Sequence, residues 1–356
     1  MLNDLLKSNE DIIENFDNSF YNIINYDKEK DLELNNLVNI INNTQNKNFN
    51  FSDLLLLKEN DNEYINKLKR EVLNKTKFAQ PAILLHSYLN YNKFLKEKFN
   101  YEGDEKENNI DYAINKNINN TFSYFFGPSL GEIISLVCAN SITLNKAGTL
   151  LHIRGRLMQE SCPNGRGAML NVVGDINKNI NLFNLFINNN KNEEINLSSI
   201  MSNRLIVLSG ATDSIEKCRI FFKENSIGCR KLIVSAAFHS DLMIEGSLKF
   251  KDYLFDKEEN IFFDFPKIPI ISTIYPEFVY PRKNSKEAFG FDNNPIEFDT
   301  KVKEMLVDQF TRKVDLMNCV KNLVELSKKD NEDNKIIECQ IYDIIKRKNL
   351  DLNEFL

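Results

Sequence analysis

Tryptophan is absent from this 356-residue chain, and histidine occurs only three times. With so few imidazoles, and no Cys-x-x-C pair among its six cysteines, no metal site of the usual His/Cys spacing is expected. No resident cofactor is expected either. Cys138, Cys162, Cys218, Cys229, Cys319 and Cys339 are scattered and read as free thiols of a reducing compartment. A long hydrophobic run is also missing, so no membrane partner is expected. A basic excess is lacking as well. The net charge is −6 and the isoelectric point is near 5.4, which argues against nucleic acid as the main partner. No signal or transit segment is legible at Met1. Glycine is scarce at 12 residues, so two glycines four positions apart carry information.

What is present is enough for a real core. Hydrophobic residues make up 42% of the chain, and the length suits one large domain with an inserted lobe, or two domains. Asn, Lys and Ile are over-used in a way that points to AT-rich coding. Four polar stretches, 42–50, 101–120, 177–195 and 276–300, read as mobile surface insertions without a packed core. Between them lie periodic segments. A helix is predicted from Gln80 to about Phe99, with Pro81 near its first turn. Helices are also predicted over 130–139, 145–159, 214–225 and 302–310. Strands are predicted over 121–126, 168–173, 204–208, 231–235 and 268–274. The run of strand, strand, helix and strand between 168 and 235 indicates a small α+β lobe inserted in an α/β sheet domain.

Gly127-Pro128-Ser129-Leu130-Gly131 lies between a strand-like run and a helical one. Strand, G-x-S-x-G and helix is the context of a serine pushed out on a sharp turn. Flanking glycines let strand and helix approach. Leu130 N–H would then lie at a helix N-terminus, where it can donate to an oxyanion. The plainer reading is a strand–helix turn with Ser129 as an N-cap.

Further segments carry a resemblance. These are Ala79-Gln80-Pro81-Ala82, Leu151-His152-Ile153-Arg154-Gly155-Arg156-Leu157-Met158-Gln159-Glu160, Gly165-Arg166-Gly167-Ala168-Met169 and Ala236-Ala237-Phe238-His239-Ser240-Asp241-Leu242-Met243. With the serine motif they resemble the malonyl-CoA:acyl-carrier-protein transacylase family of type II fatty acid synthesis. The resemblance implies an α/β-hydrolase-like core with a parallel sheet and a ferredoxin-like small subdomain. It places the large subdomain at 1–163 and 238–356 and the small one at 164–237. It implies ping-pong transfer of malonyl from malonyl-CoA to the phosphopantetheine thiol of acyl carrier protein. Ser129 would be the nucleophile and His239 the general base. The main-chain carbonyl of Gln309 would orient that base. Arg154 would hold the malonyl carboxylate, as a guanidinium fork does in a partly dry site. Gln80 would approach the site, and Asn203 would stand in for an asparagine of the family. Arg156 is read as solvent-facing, and His86 and His152 as packing residues. Arg166, Arg230 and Lys231 are candidates for docking an acidic carrier. A monomer is expected, housed in a plastid-like organelle (an apicoplast) if the source is an apicomplexan parasite and in the cytoplasm otherwise.

Departures from the family pattern keep other readings open. The family begins with a strand ending in G-Q-G-S-Q, which supplies a second oxyanion donor. This chain starts just after it, so a truncated chain is expected. Pro128 replaces a histidine, Met201-Ser202-Asn203-Arg204 replaces N-S-P-G, and Glu338-Cys339-Gln340-Ile341 replaces a late G-P-G turn. A serine esterase or thioesterase on the same core, or an impaired paralogue that only binds the carrier, are the alternatives.

Overall fold

The computed structural model describes residues 9–45, 48–55, 63–99, 124–163, 165–234, 236–281 and 294–330. The polar stretch 101–120, residues 121–123 and Glu338-Cys339-Gln340-Ile341 lie outside the described residues. The chain divides into two compact units: Met1–Gly103 with Thr143–Arg156, and Asp104–Ile142 with Leu157–Leu356.

The helices run, in chain order, α1 (Glu10–Lys28), α2 (Leu32–Gln45), α3 (Glu63–Leu73), α4 (Thr76–Phe99), α5 (Leu130–Cys138) and α6 (Leu144–Ser161). After these come α7 (Ile176–Asn189), α8 (Thr212–Glu224), α9 (Ile244–Phe255), α10 (Pro295–Asp308) and α11 (Leu316–Asp330).

The first unit is built from α1 to α4 and the leading part of α6. Its centre is aromatic. Phe16 and Phe20 stack at 4.8 Å between centroids, and Phe51 lies 4.4 Å from Phe20. Helix α4 starts at Thr76, earlier than predicted, which puts Pro81 inside the helix. Proline there removes the N–H that would bond to Lys77 O, four residues back. His152 of α6 sits at that carbonyl, with Nδ1 2.9 Å from Lys77 O. The ring is thus a packing and capping group, which is how a buried Pro is tolerated. Arg156, read as solvent-facing, is half-buried.

The second unit contains a five-stranded sheet in the order β4-β1-β3-β2-β7. Its strands are β1 (Gly167–Val173), β2 (Ile195–Ser202), β3 (Leu205–Ala211), β4 (Gly228–Lys231) and, beyond the two short strands below, β7 (Val314–Asp315). Strands β1 and β3, β1 and β4, and β2 and β3 pair antiparallel, whereas β2 and β7 pair parallel. The order β1-α7-β2-β3-α8-β4 with spatial order 4-1-3-2 is the ferredoxin-like arrangement. Leu170, Val172, Ile206, Leu208, Ile215 and Phe222 fill its core.

Several sequence expectations fail here. The stretch 177–195, read as a surface insertion, is mostly α7, whose Phe183 and Phe186 are buried. The strand predicted over 231–235 ends at Lys231, and Ile233 beyond it is almost fully exposed. The start of the long helix predicted over 302–310 moves back to Pro295, because Asn294 caps it by accepting from Ile296 and Glu297 N–H. The stretch 276–300 therefore holds that helix start and β6 (Val279–Tyr280), which pairs antiparallel with β5 (Ile270–Ile271). Among the described residues, the strand before the serine turn is one parallel bridge, Phe125 to Ile270. Phe125 N–H donates to Pro269 O at 2.8 Å, and Ile271 N–H donates to Phe125 O at 2.9 Å.

Candidate active site

Ser129 stands at the turn between that bridge and α5. Its backbone is at φ 53 and ψ −104, a conformation costly for any residue but glycine. Two glycines explain how the turn closes. A Cβ added to Gly127 would lie 2.7 Å from Gly131 Cα, so strand and helix touch backbone to backbone. Gly131 N–H donates to Pro128 O at 2.9 Å, and Glu132 N–H donates to Ser129 O at 3.1 Å. Pro128 needs no N–H in this turn and leaves Ser129 its strained dihedrals. Leu130 opens α5, so its N–H belongs to the first-turn amides that lie outside the helical ladder.

Beneath the turn lies a polar support that the sequence did not announce. Thr273 Oγ1 is 3.4 Å from Ser129 N and 3.4 Å from Gly127 O. Glu132 is fully buried and accepts from Thr273 N–H, Thr273 Oγ1–H and Tyr280 O–H. Burial pushes the Glu132 carboxyl up, against the lowering effect of these donors. The one sequence signal was the spacing Ser129-x-x-Glu132, which looks like a capping box. The structure turns Glu132 inward instead.

His239 is buried and also has a left-handed backbone, at φ 57. It precedes a 3₁₀ turn (Asp241–Met243) that leads into α9. Gln309 is the C-cap of α10 and is fully buried. At a helix end, the last carbonyls act as acceptors outside the ladder. Its neighbours hold it in place. Phe310 packs on Phe250 of α9, and Asp308 accepts from Tyr275 O–H and Arg312 Nε–H. Ser129, His239 and Gln309 all belong to the second unit.

Arg154 and Gln80 belong to the first unit, and there the structure brings them together. Arg154 is 2% exposed, and its Nη1–H donates to Gln80 Oε1 at 2.7 Å. The amide fixes the plane of a guanidinium buried on α6. Gly155 shows why α6 approaches α4 so closely there: its added Cβ would lie 2.5 Å from Thr76 O. Asn203 sits in the β2–β3 hairpin, where its carbonyl accepts from Ile176 N–H. It borders a cavity of about 540 Å³ with Asp175, Arg204, Met317 and Lys321, away from the other predicted site residues of its unit in that none of them lines it. His86 is half-buried, and burial pushes its imidazole down. Among the described residues, no group of three or more His, Cys, Asp or Glu is placed to hold a metal ion. No described helix is long and apolar enough to cross a membrane.

No protein-family model matches the chain. A malonyl CoA-acyl carrier protein transacylase of Haemophilus influenzae is 30% identical over 207 residues, covering 57% of this chain and 58% of the relative. The chain therefore spans under two thirds of that relative's length. A Staphylococcus aureus protein of the same description is 27% identical over 283 residues, covering 77% of this chain and 80% of its own. FabD from Acinetobacter baumannii aligns at TM-score 0.57 and 21% identity, covering 83% of this chain and 77% of that structure. A malonyl-transacylase solved with its type II polyketide acyl-carrier protein aligns at TM-score 0.56 and 23% identity, covering 78% of this chain and 75% of its own. The structures show the shared α/β fold. The resemblance carried by the motifs stands: this chain is similar to malonyl CoA-acyl carrier protein transacylases in sequence and in fold.

Proposed function

We propose that the protein is an acyltransferase that moves a malonyl group from malonyl-CoA to the phosphopantetheine thiol of an acyl carrier protein. The observation that carries this reading is the strained Ser129 turn at the head of α5, closed by Gly127 against Gly131. Such a nucleophile elbow lifts the hydroxyl clear of the chain and offers it to an acyl carbon. His239 takes the proton as Ser129 Oγ attacks the thioester carbonyl. Leu130 N–H donates to the oxyanion of the tetrahedral intermediate. Collapse breaks the carbon–sulfur bond, and the CoA thiolate leaves with the proton from His239. The malonyl ester on Ser129 then meets the carrier thiol, whose proton passes to His239 as sulfur attacks. Collapse breaks the ester, Ser129 Oγ regains the proton, and malonyl-carrier departs.

Arg154 is assigned to the malonyl carboxylate by its place in the motif and by its chemistry. A buried guanidinium held by Gln80 is preorganised for a bidentate carboxylate and leaves an acetyl group nothing to pair with it. Gln309 orients His239 through its carbonyl. The carrier is the acceptor by analogy with the transacylase–carrier complex above, and Arg166, Arg230 and Lys231 supply positive charge for it. A hydrolase would need no fixed carboxylate partner.

The test is a two-step transfer. The protein is incubated with labelled malonyl-CoA, and holo-carrier protein is then added. Label on Ser129 that moves to the carrier is expected, Ser129→Ala should abolish it, and Arg154→Ala should lower malonyl loading far more than acetyl loading. Release of free malonate without transfer would make the protein a hydrolase. Equal loss of both acyl groups would remove Arg154 from substrate recognition.

A further inference from the structure

His239 needs a rigid frame, because a left-handed backbone at a non-glycine residue relaxes unless its neighbours forbid it. The structure ties the segment down on both sides of the strained residue. Ser240 Oγ–H donates to Ala237 O at 2.6 Å, closing a loop around His239. One residue further, Asn196 of β2 grips Asp241 twice. Asp241 N–H donates to Asn196 Oδ1 at 3.1 Å, and Asn196 Nδ2–H donates to Asp241 Oδ2 at 3.1 Å.

We propose that Asn196 is a positioning residue for His239: its reciprocal amide pair with Asp241 holds the imidazole segment to the small lobe's sheet and keeps residue 239 in its strained geometry. This rests on the reading of His239 as the base. The anchor itself is stiff. Strand β2 pairs with β3 at Asn196, opposite Ser209, and with β7 further on at Ser199 and Ile200, and Ile195 beside Asn196 is buried. A primary amide suits the task because it offers one acceptor to a backbone N–H and one donor to a carboxylate in the same plane. Asp241 also starts the 3₁₀ turn, so its N–H is one of the donors a helical turn leaves to be satisfied from outside. Asn196 fills that need from a distant strand.

The consequence is a change in rate without a change in substrate binding. Asn196 is placed on the histidine segment, so its loss should slow Ser129 acylation and leave the dissociation constant for malonyl-CoA alone. For partly exposed hydrogen bonds the expected loss is roughly fivefold to tenfold. Asn196→Asp removes the donor and sets two carboxylates face to face, so it should be the slower variant. The exchange Asn196→Asp with Asp241→Asn restores an acceptor for the backbone and a donor–acceptor pair between side chains, and it should recover the rate. Thermal melting is measured alongside, and Asn196→Ala serves as the milder cut should Asn196→Asp fail to fold.

A second readout does not depend on catalysis. The chain has three histidines, so the His239 imidazole C2–H signal can be assigned by NMR from single substitutions. It should shift in Asn196→Asp and return in the exchange, while His86 and His152 stay put. A His239 signal that ignores Asn196, or an acylation rate that the exchange fails to restore, would overturn the proposal. If the unaltered protein forms no malonyl ester, the acyl-transfer reading fails, yet the NMR comparison still decides whether Asn196 holds His239.

Discussion

Glu132 shows how much one side chain can do for a site it does not enter. Ionised, it would be a buried anion. Neutral, it keeps Thr273 and Tyr280 occupied at lower cost. Burial raises its folded value above that of the unfolded chain, about 4.3. Above that pH the unfolded chain gives up the proton while the folded one keeps it, so this carboxyl erodes stability as pH rises toward its folded value. Glu132→Gln removes the titration while retaining an acceptor for Thr273. The melting temperature of the variant relative to the unaltered protein should therefore climb as pH rises from the unfolded value, about 4.3, toward the folded one. Scanning calorimetry across that range would show it, and a difference that stays flat or falls would mean that Glu132 is already ionised in the fold.

At the scale of elements, the serine turn depends on strand and α5 meeting without side chains. Gly127→Ala puts a methyl 2.7 Å from the Gly131 backbone, where no flexible atom can yield. Overpacking of this kind costs about 1–3 kcal/mol, and it should also lower Ser129 acylation at least about tenfold, since a misplacement near 1 Å disrupts such chemistry. Gly228→Ala, whose added methyl meets nothing within 4 Å, is the matched control. A variant of Gly127 that acylates as fast as the control would show that the close approach is not needed. The same elements show what the sequence could and could not disclose. Helices α5 and α6 and strands β1 and β3 were legible because each carries a dense apolar run that is buried along most of its length. Helix α7 was not, since its apolar positions Ile176, Ile180, Phe183 and Phe186 are diluted by asparagines that read as loop. Strand β2 was missed because bulges between Leu197 and Ser199 and between Ile200 and Ser202 break the alternation that marks a strand. At the site, Ser129 and the Arg154 motif were visible as local patterns. Thr273 beneath Ser129, Gln80 on Arg154 and Asn196 on Asp241 were not visible as pairs, because each joins residues far apart in sequence.

Across the whole molecule, the buried carboxyls that shift do so in opposite senses in the two units. The first unit carries carboxylates held low. Burial would raise Asp27, but His152 and Lys77 outweigh it: Lys77 Nζ and His152 Nε2 lie 3.1 and 3.3 Å from Asp27 Oδ2. Burial opposes Asp31 too, and Lys75 together with Leu34 N–H brings it below the ordinary range. Carboxyls with depressed folded values stabilise above the unfolded value, about 3.9, and that support is lost as pH falls through the folded ones. In the second unit Glu132 has the opposite sign, so acid favours its folded form. Acidification should therefore loosen α1 and α4 before the β1–β3 ladder. Amide hydrogen exchange followed from about pH 6 down to pH 3, expressed as protection factors, separates the two sets of amides. Asp27→Asn should move the loss of α1 protection to milder acid, because it removes the carboxylate shared by Lys77 and His152 and leaves the Lys77 ammonium beside a neutral amide. Loss of β1–β3 protection first, or of both sets together at one pH, would refute the assignment of acid sensitivity to the Asp27 and Asp31 cluster.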